Sequence, residues 1–150
     1  MKNLFLTVSI LLATTLTAQS ELKGLEGKGV ATALGTMTVY GSYLAGSAVY
    51  PTDSSYWVYY RNQGNVNLVE YDEFGLGYED YNSMVDTVKL LLKGKKAANL
   101  TFTLLDGRLL SVNVFKQRMV MFSIKTESNN SRSTYFASKD FNKVFRKINQ

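Results

Sequence analysis

Residues 100–126 read LTFTLLDGRLLSVNVFKQRMVMFSIKT, and this stretch decides the fold. Leu100, Phe102 and Leu104 alternate with Thr101 and Thr103, the two-residue period of a half-buried strand. Asp106-Gly107 marks a turn. A two-residue loop there would set Phe102 opposite Ser111 and Leu100 opposite Asn113, mixing core with surface. A three-residue loop, Leu105-Asp106-Gly107, sets Phe102 opposite Leu110 and Leu100 opposite Val112, all apolar and all on one face. A slip of one residue turns every side chain over, so the second register is the one predicted, with Gly107 left-handed in a bulge. The same parity places Val112 and Val114 beside Val120 and Phe122 across a tight turn at Lys116-Gln117-Arg118. The product is a three-stranded antiparallel meander whose apolar face runs from Leu100 to Ile124.

Helical patterns lie on both sides of the meander. Tyr81, Met84, Val85, Val88, Leu91 and Leu92 recur at three and four residues, which makes one apolar stripe on a helix over residues 78–93. Glu79 and Asp80 at its start and Lys89 and Lys93 towards its end suit the helix dipole, and Gly94 is a stop. After a polar loop over residues 127–132 and a strand over 133–137, Ser138 reads as an N-cap. Phe141, Val144, Phe145 and Ile148 follow at helical spacing, with Lys139, Lys143, Arg146 and Lys147 on the other face.

Towards the N-terminus the composition turns aromatic. Residues 51–55 form a turn, and Tyr56-Trp57-Val58-Tyr59-Tyr60-Arg61 is a strand by its aromatic and β-branched content. Residues 62–65 turn, and residues 66–71 return as the second strand of a hairpin. Residues 72–77 then read as a glycine-containing loop. Residues 21–52 are rich in Gly, Ala, Ser, Thr and Tyr, and their periodicity is weak; they suit a strand near 36–43 or a short helix near 30–34. The expected fold is therefore α+β. Its antiparallel sheet comprises the N-terminal hairpin, the meander and one further strand, covered on one face by two amphipathic helices.

Lys2, an apolar run over residues 4–13 and the small Ala18 before Gln19 are the three parts of a secretory signal peptide, and the segment resembles bacterial signal peptides cut after residue 18. Residues 1–18 are thus expected to be a signal peptide and residues 19–150 a single domain, exported to the periplasm or beyond. The apolar core is too short to span a bilayer, and no integral membrane span is expected. The chain has no cysteine. That excludes disulfides and the thioether lipid anchor of bacterial lipoproteins.

Histidine is absent as well. Histidine-based triads, cysteine nucleophiles and nearly all zinc sites fall away together. No cofactor is expected, and a non-enzymatic role is favoured. Charge is divided along the chain. Residues 19–88 carry three basic and nine acidic side chains, a net of −6, and residues 89–150 carry thirteen and three, a net of +10. The halves either neutralise one another on packing or present a basic face to an anionic partner. No aromatic interleaving or known module points to nucleic acid.

Nine of the ten tyrosines and the only tryptophan fall between Tyr40 and Tyr81, so the aromatic hairpin is the first candidate site. Trp57 and Tyr59 point to one face of their strand, and Tyr56, Val58 and Tyr60 to the other. Trp57, Tyr59 and Tyr71 are the candidate ligand-binding residues: exposed rings stack on sugars or fill pockets of a protein partner, whereas covered rings merely cap the core. The acidic residues Asp72, Glu73, Glu79 and Asp80 are a candidate calcium site, which would make the chain a calcium-stabilised envelope protein. Glu70, Asp72 and Glu79 are the carboxylates from which a small glycan hydrolase would draw its acid and base. The leading expectation is an exported binding domain whose partner is an envelope protein or a glycan.

Overall fold

The computed structural model describes residues 31–64, 69–125 and 130–147. These residues belong to one compact unit that begins at Ala31. The expected signal peptide lies outside the described residues, as do residues 66–68 of the expected returning strand and Ile148 of the last helix.

The meander has the predicted register. Strands β5 (Ala98–Thr103), β6 (Leu109–Phe115) and β7 (Met119–Lys125) are antiparallel, with Phe102 opposite Leu110, Leu100 opposite Val112 and Val112 opposite Phe122. Gly107 has φ 85°, and the loop closes with Leu104 N donating to Arg108 O at 2.9 Å and Gly107 N to Leu104 O at 2.9 Å. Strand β8 (Asn130–Arg132) pairs with β7 inside the stretch read as a polar loop, and β9 (Phe136–Ala137) pairs with β7 further along. Between them Ser133 keeps the pairing, donating its N–H to Phe122 O and accepting Phe122 N–H on Oγ, both at 2.9 Å. The expected strand over 133–137 is therefore an interrupted one that starts earlier.

The remaining strands form a second sheet of their own, so the single sheet expected from sequence is two. Its order is β1 (Thr32–Val39), β2 (Ser42–Tyr50), β3 (Ser55–Arg61) and β4 (Tyr71–Gly77), all antiparallel. Thr32–Val39 is a strand throughout, not a short helix. Residues 36–43 contain the Tyr40-Gly41 turn of a hairpin, with φ 50° and 79°, the paired left-handed residues of a tight two-residue connection. The stretch read as a glycine loop is strand β4, which takes the place of the returning strand expected at 66–71. Bulges leave Leu34 and Leu44 without a cross-strand partner, and both pack against the core.

Helix α1 (Tyr78–Gly94) buries Tyr81, Met84, Val85, Val88 and Leu92 of the predicted stripe, and Leu91 is partly buried. Its left-handed end residue is Lys95, φ 51°, rather than Gly94. Lys96 N donates to Leu91 O at 3.0 Å and Lys95 N lies 3.4 Å from Leu92 O, which satisfies carbonyls the helix itself leaves unpaired. Helix α2 (Ser138–Val144) is capped by Ala137, so Ser138 is its first residue and not its cap.

One core joins all these parts. Tyr56, Val58, Tyr60, Phe74 and Leu76 from the first sheet meet Leu110, Val112, Val120, Phe122 and Ile124 from the second, with the α1 stripe, Phe136, Phe141, Val144 and Phe145. Phe122 packs against Phe74, Phe136, Phe141 and Phe145, with ring centroids 5.0–6.4 Å apart. Two buried polar links cross the core. The Tyr60 and Ser131 hydroxyls are 2.6 Å apart, and Ser47 Oγ donates to Val144 O at 2.5 Å.

Candidate functional site

Cross-strand register sorts the aromatic residues into two faces. Tyr56, Val58 and Tyr60 lie opposite Leu76, Phe74 and Asp72 on the core side. Trp57, Tyr59 and Arg61 lie opposite Gly75, Glu73 and Tyr71 on the outer side. The three candidate ligand-binding residues therefore share the outer face of the first sheet.

Small residues make room for the large rings. Trp57 stands between Ala48 of β2 and Gly75 of β4. A Cβ on Gly75 would come within 2.8 Å of Trp57 Cζ2 and 3.1 Å of Leu105 Cδ1, so the indole lies on the bare backbone of its partner strand. Its Nε1 donates to Ser55 Oγ at 3.1 Å, and that hydroxyl donates in turn to Asp53 Oδ1 at 2.5 Å. Tyr59 stands between Gly46 and Glu73. The Tyr43 hydroxyl occupies the space a Cβ on Gly46 would need.

Tyr71 is half exposed, its ring tilted against Tyr43 at a centroid distance of 5.9 Å and its hydroxyl donating to Tyr43 O at 3.0 Å. The Tyr50 and Tyr59 hydroxyls, by contrast, are buried. Burial raises the Tyr59 hydroxyl pKa, with Tyr50 and the Glu73 carboxylate adding to the effect, and it raises that of Tyr50. Neither hydroxyl has a hydrogen bond of good geometry among the described residues. The outer face is thus graded: Tyr71 open to solvent, Trp57 half-buried, and Tyr59 held with its hydroxyl covered.

The loop between β5 and β6 borders this face. Leu105 N donates to Gly75 O at 3.0 Å and Arg108 Nη2 to Glu73 O at 3.3 Å, so the second sheet's loop pairs with the open edge of β4. Asp106 fixes the loop by accepting from Arg108 N at 3.0 Å and Nε at 2.7 Å. These bonds hold the Asp106 carboxyl below its ordinary pKa.

The candidate calcium residues are not brought together. Asp72 is on the core side, where Asn62 Nδ2 donates to it at 2.9 Å, and Glu73 is on the outer side. Glu79 and Asp80 begin α1 and are exposed. The length of β4, roughly 20 Å, separates them from Asp72. Among the described residues no group of three acidic side chains could hold a metal ion. The same separation takes Glu79 out of any acid–base pair with Asp72, because paired glycosidase carboxylates stand about 5–10 Å apart.

A feature that sequence reading missed lies elsewhere. Lys89, Leu92, Lys93, Arg118, Ser138 and Asn142 line a half-open cavity of about 360 Å³ between α1, the β6–β7 turn and α2. The i, i+4 spacing of Lys89 and Lys93 was visible, but nothing local places Arg118 or Asn142 beside them.

No protein family, curated protein or solved structure matches the chain. No helix among the described residues is long and apolar enough to cross a membrane.

Proposed function

We propose that the protein is an exported, non-enzymatic binding domain of a bacterial envelope that holds a glycan on the outer face of its first sheet. The observation that carries this reading is the half-exposed Tyr71 ring, fixed by Tyr43 and continued along the sheet by Trp57. A flat ring held at fixed height stacks on the apolar face of a sugar at little cost in conformational entropy. Arg61 and Glu73, on the same face, supply a donor and an acceptor for sugar hydroxyls. Export rests on the signal-peptide pattern of residues 1–18. The absence of histidine and cysteine from the chain supports binding over catalysis.

The test is a glycan screen followed by titration of the best hit. Tyr71→Ala and Trp57→Ala are each expected to weaken binding by roughly tenfold or more, the loss of about 1.4 kcal/mol of stacking. Affinity unchanged in both variants would refute the assignment of this face.

A second reading, an envelope protein as partner, is favoured by a separate observation. Tyr40 is fully exposed at the tip of the β1–β2 hairpin, in a left-handed conformation where Gly or Asn is usual. Val39 and Val69 are exposed at the same end of the sheet as Tyr71. If this reading is right, Tyr40→Asn abolishes capture of a protein from envelope extracts and leaves glycan titrations unchanged.

A further inference from the structure

We infer that the cavity between α1, the β6–β7 turn and α2 is a binding site for an oxyanion, a phosphate or sulfate group carried by a small ligand. This site lies apart from the aromatic face and does not depend on the reading given to that face.

Five of the six lining residues carry hydrogen-bond donors: Lys89, Lys93, Arg118, Ser138 and Asn142. Among the described residues no carboxylate lines the cavity. Neither ion pair between described residues involves Lys89, Lys93 or Arg118. Three like charges around one hollow repel one another, and an anion between them removes that repulsion while accepting charge-assisted hydrogen bonds. The hollow, about 360 Å³ and half open to solvent, has room for a phosphate group. Ser138 is free for this role because Ala137 caps α2, with no side-chain cap bond. Leu92, almost fully buried, supplies an apolar wall.

Arg118 gives the second line of argument. It has φ 61°, the left-handed conformation that strains any residue with a β-carbon and that tight turns usually give to glycine or asparagine. Its carbonyl accepts from Ser138 N at 3.0 Å, so the turn is fixed against α2 by backbone alone. Glycine would serve that backbone better than arginine does. What the arginine adds is an exposed cationic side chain on a residue that lines the hollow, and a guanidinium pairs with tetrahedral oxyanions through two parallel bonds.

The test is a titration of the full chain with inorganic phosphate, followed by the backbone amide signals of the lining residues. A second arm measures binding to vesicles of phosphatidylglycerol against vesicles of phosphatidylcholine. Saturable shifts at Lys89, Lys93, Arg118, Ser138 and Asn142 are expected with phosphate. Lys89→Gln should weaken that binding by roughly tenfold. Arg118→Gly should weaken it comparably while raising the melting temperature, a combination that a merely structural arginine would not give. Binding to phosphatidylglycerol vesicles that is lost in both variants, without saturation by free phosphate, assigns the oxyanion to a lipid headgroup. Absence of localised shifts together with vesicle binding that ignores both substitutions overturns the inference. So does an equal response to chloride.

Discussion

The indole of Trp57 rests on the α-carbon of Gly75, its cross-strand neighbour, in the space where any other residue would carry a side chain. This contact sets how far the ring stands above the sheet. Gly75→Ala must lift the indole or push Leu105 aside. The expected cost is about 1–3 kcal/mol, the usual range for overpacking a tight site. It is measured by urea unfolding, with a change in tryptophan emission in the folded state. Unchanged emission would mean that the ring does not lie on Gly75.

Gly35 should be less tolerant still. It faces Ser47 across the β1–β2 pair, and a Cβ there would collide with the main-chain carbonyl of Lys143 in α2. Backbone cannot swing away as a ring can. Gly35→Ala is expected to destabilise by about 3 kcal/mol or more. Gly77→Ala is the control, since nothing lies within 4 Å of its Cβ position and its φ of −65° suits alanine. Equal urea midpoints for the two variants would contradict the contact between α2 and β1.

Tyr50 and Tyr59 bury their hydroxyls together without a good hydrogen bond among the described residues. Removing one hydroxyl leaves the other worse placed, whereas removing both removes the desolvation cost of both. The double variant Tyr50→Phe/Tyr59→Phe is expected to match or exceed the parent in thermal stability. Each single variant should fall below the double.

The acid and alkaline limits have different origins. Burial raises the hydroxyl pKa values of Tyr59, Tyr60 and Tyr81, that of Tyr60 to about 12. A raised folded-state value means that the folded chain holds its proton more tightly than the unfolded chain. The stabilisation is complete below the ordinary tyrosine value of 10.0 and is lost as pH rises through the folded values. Unfolding free energy should therefore drop steeply above about pH 10, together with the appearance of tyrosinate absorbance. Asp106 has the opposite sign. Its depressed pKa contributes above the ordinary value of 3.8 and is lost as pH falls below it. Its partly exposed pair with Arg108 limits that loss to under about 1 kcal/mol. Between about pH 5 and 8 stability should be nearly flat, because the chain has no histidine.

The meander and α1 were legible because their signals are local. Alternation around Asp106-Gly107 admits one register with a clean apolar face, and Phe102 does stand opposite Leu110. Strands β1, β2 and β4 were not, and glycine is the reason. Gly35, Gly46 and Gly75 weaken any local strand pattern, yet each sits in a strand because something distant in sequence or folded back over it needs the room: the Lys143 carbonyl, the Tyr43 ring and the Trp57 ring. Read locally, such residues signal a loop. The separation of Trp57 and Tyr59 from Tyr56 and Tyr60 was visible in the two-residue period. That Tyr59 would be covered while Tyr71 stays open was not, because it depends on Tyr43 folding back across Gly46.

The bond from Ser47 to the Val144 carbonyl and the seating of Gly35 against Lys143 tie the first strands of the described fold to its last helix. Tyr81 ties α1 to the same end of the chain, its hydroxyl donating to Arg146 O at 3.1 Å. Synthesis delivers the chain in order, so β1 and β2 wait for their inner face to be covered until residues 141–146 emerge. Were the proposed export to carry the chain unfolded, this delay would keep it threadable for most of its passage. The fold locks only when its far end has arrived.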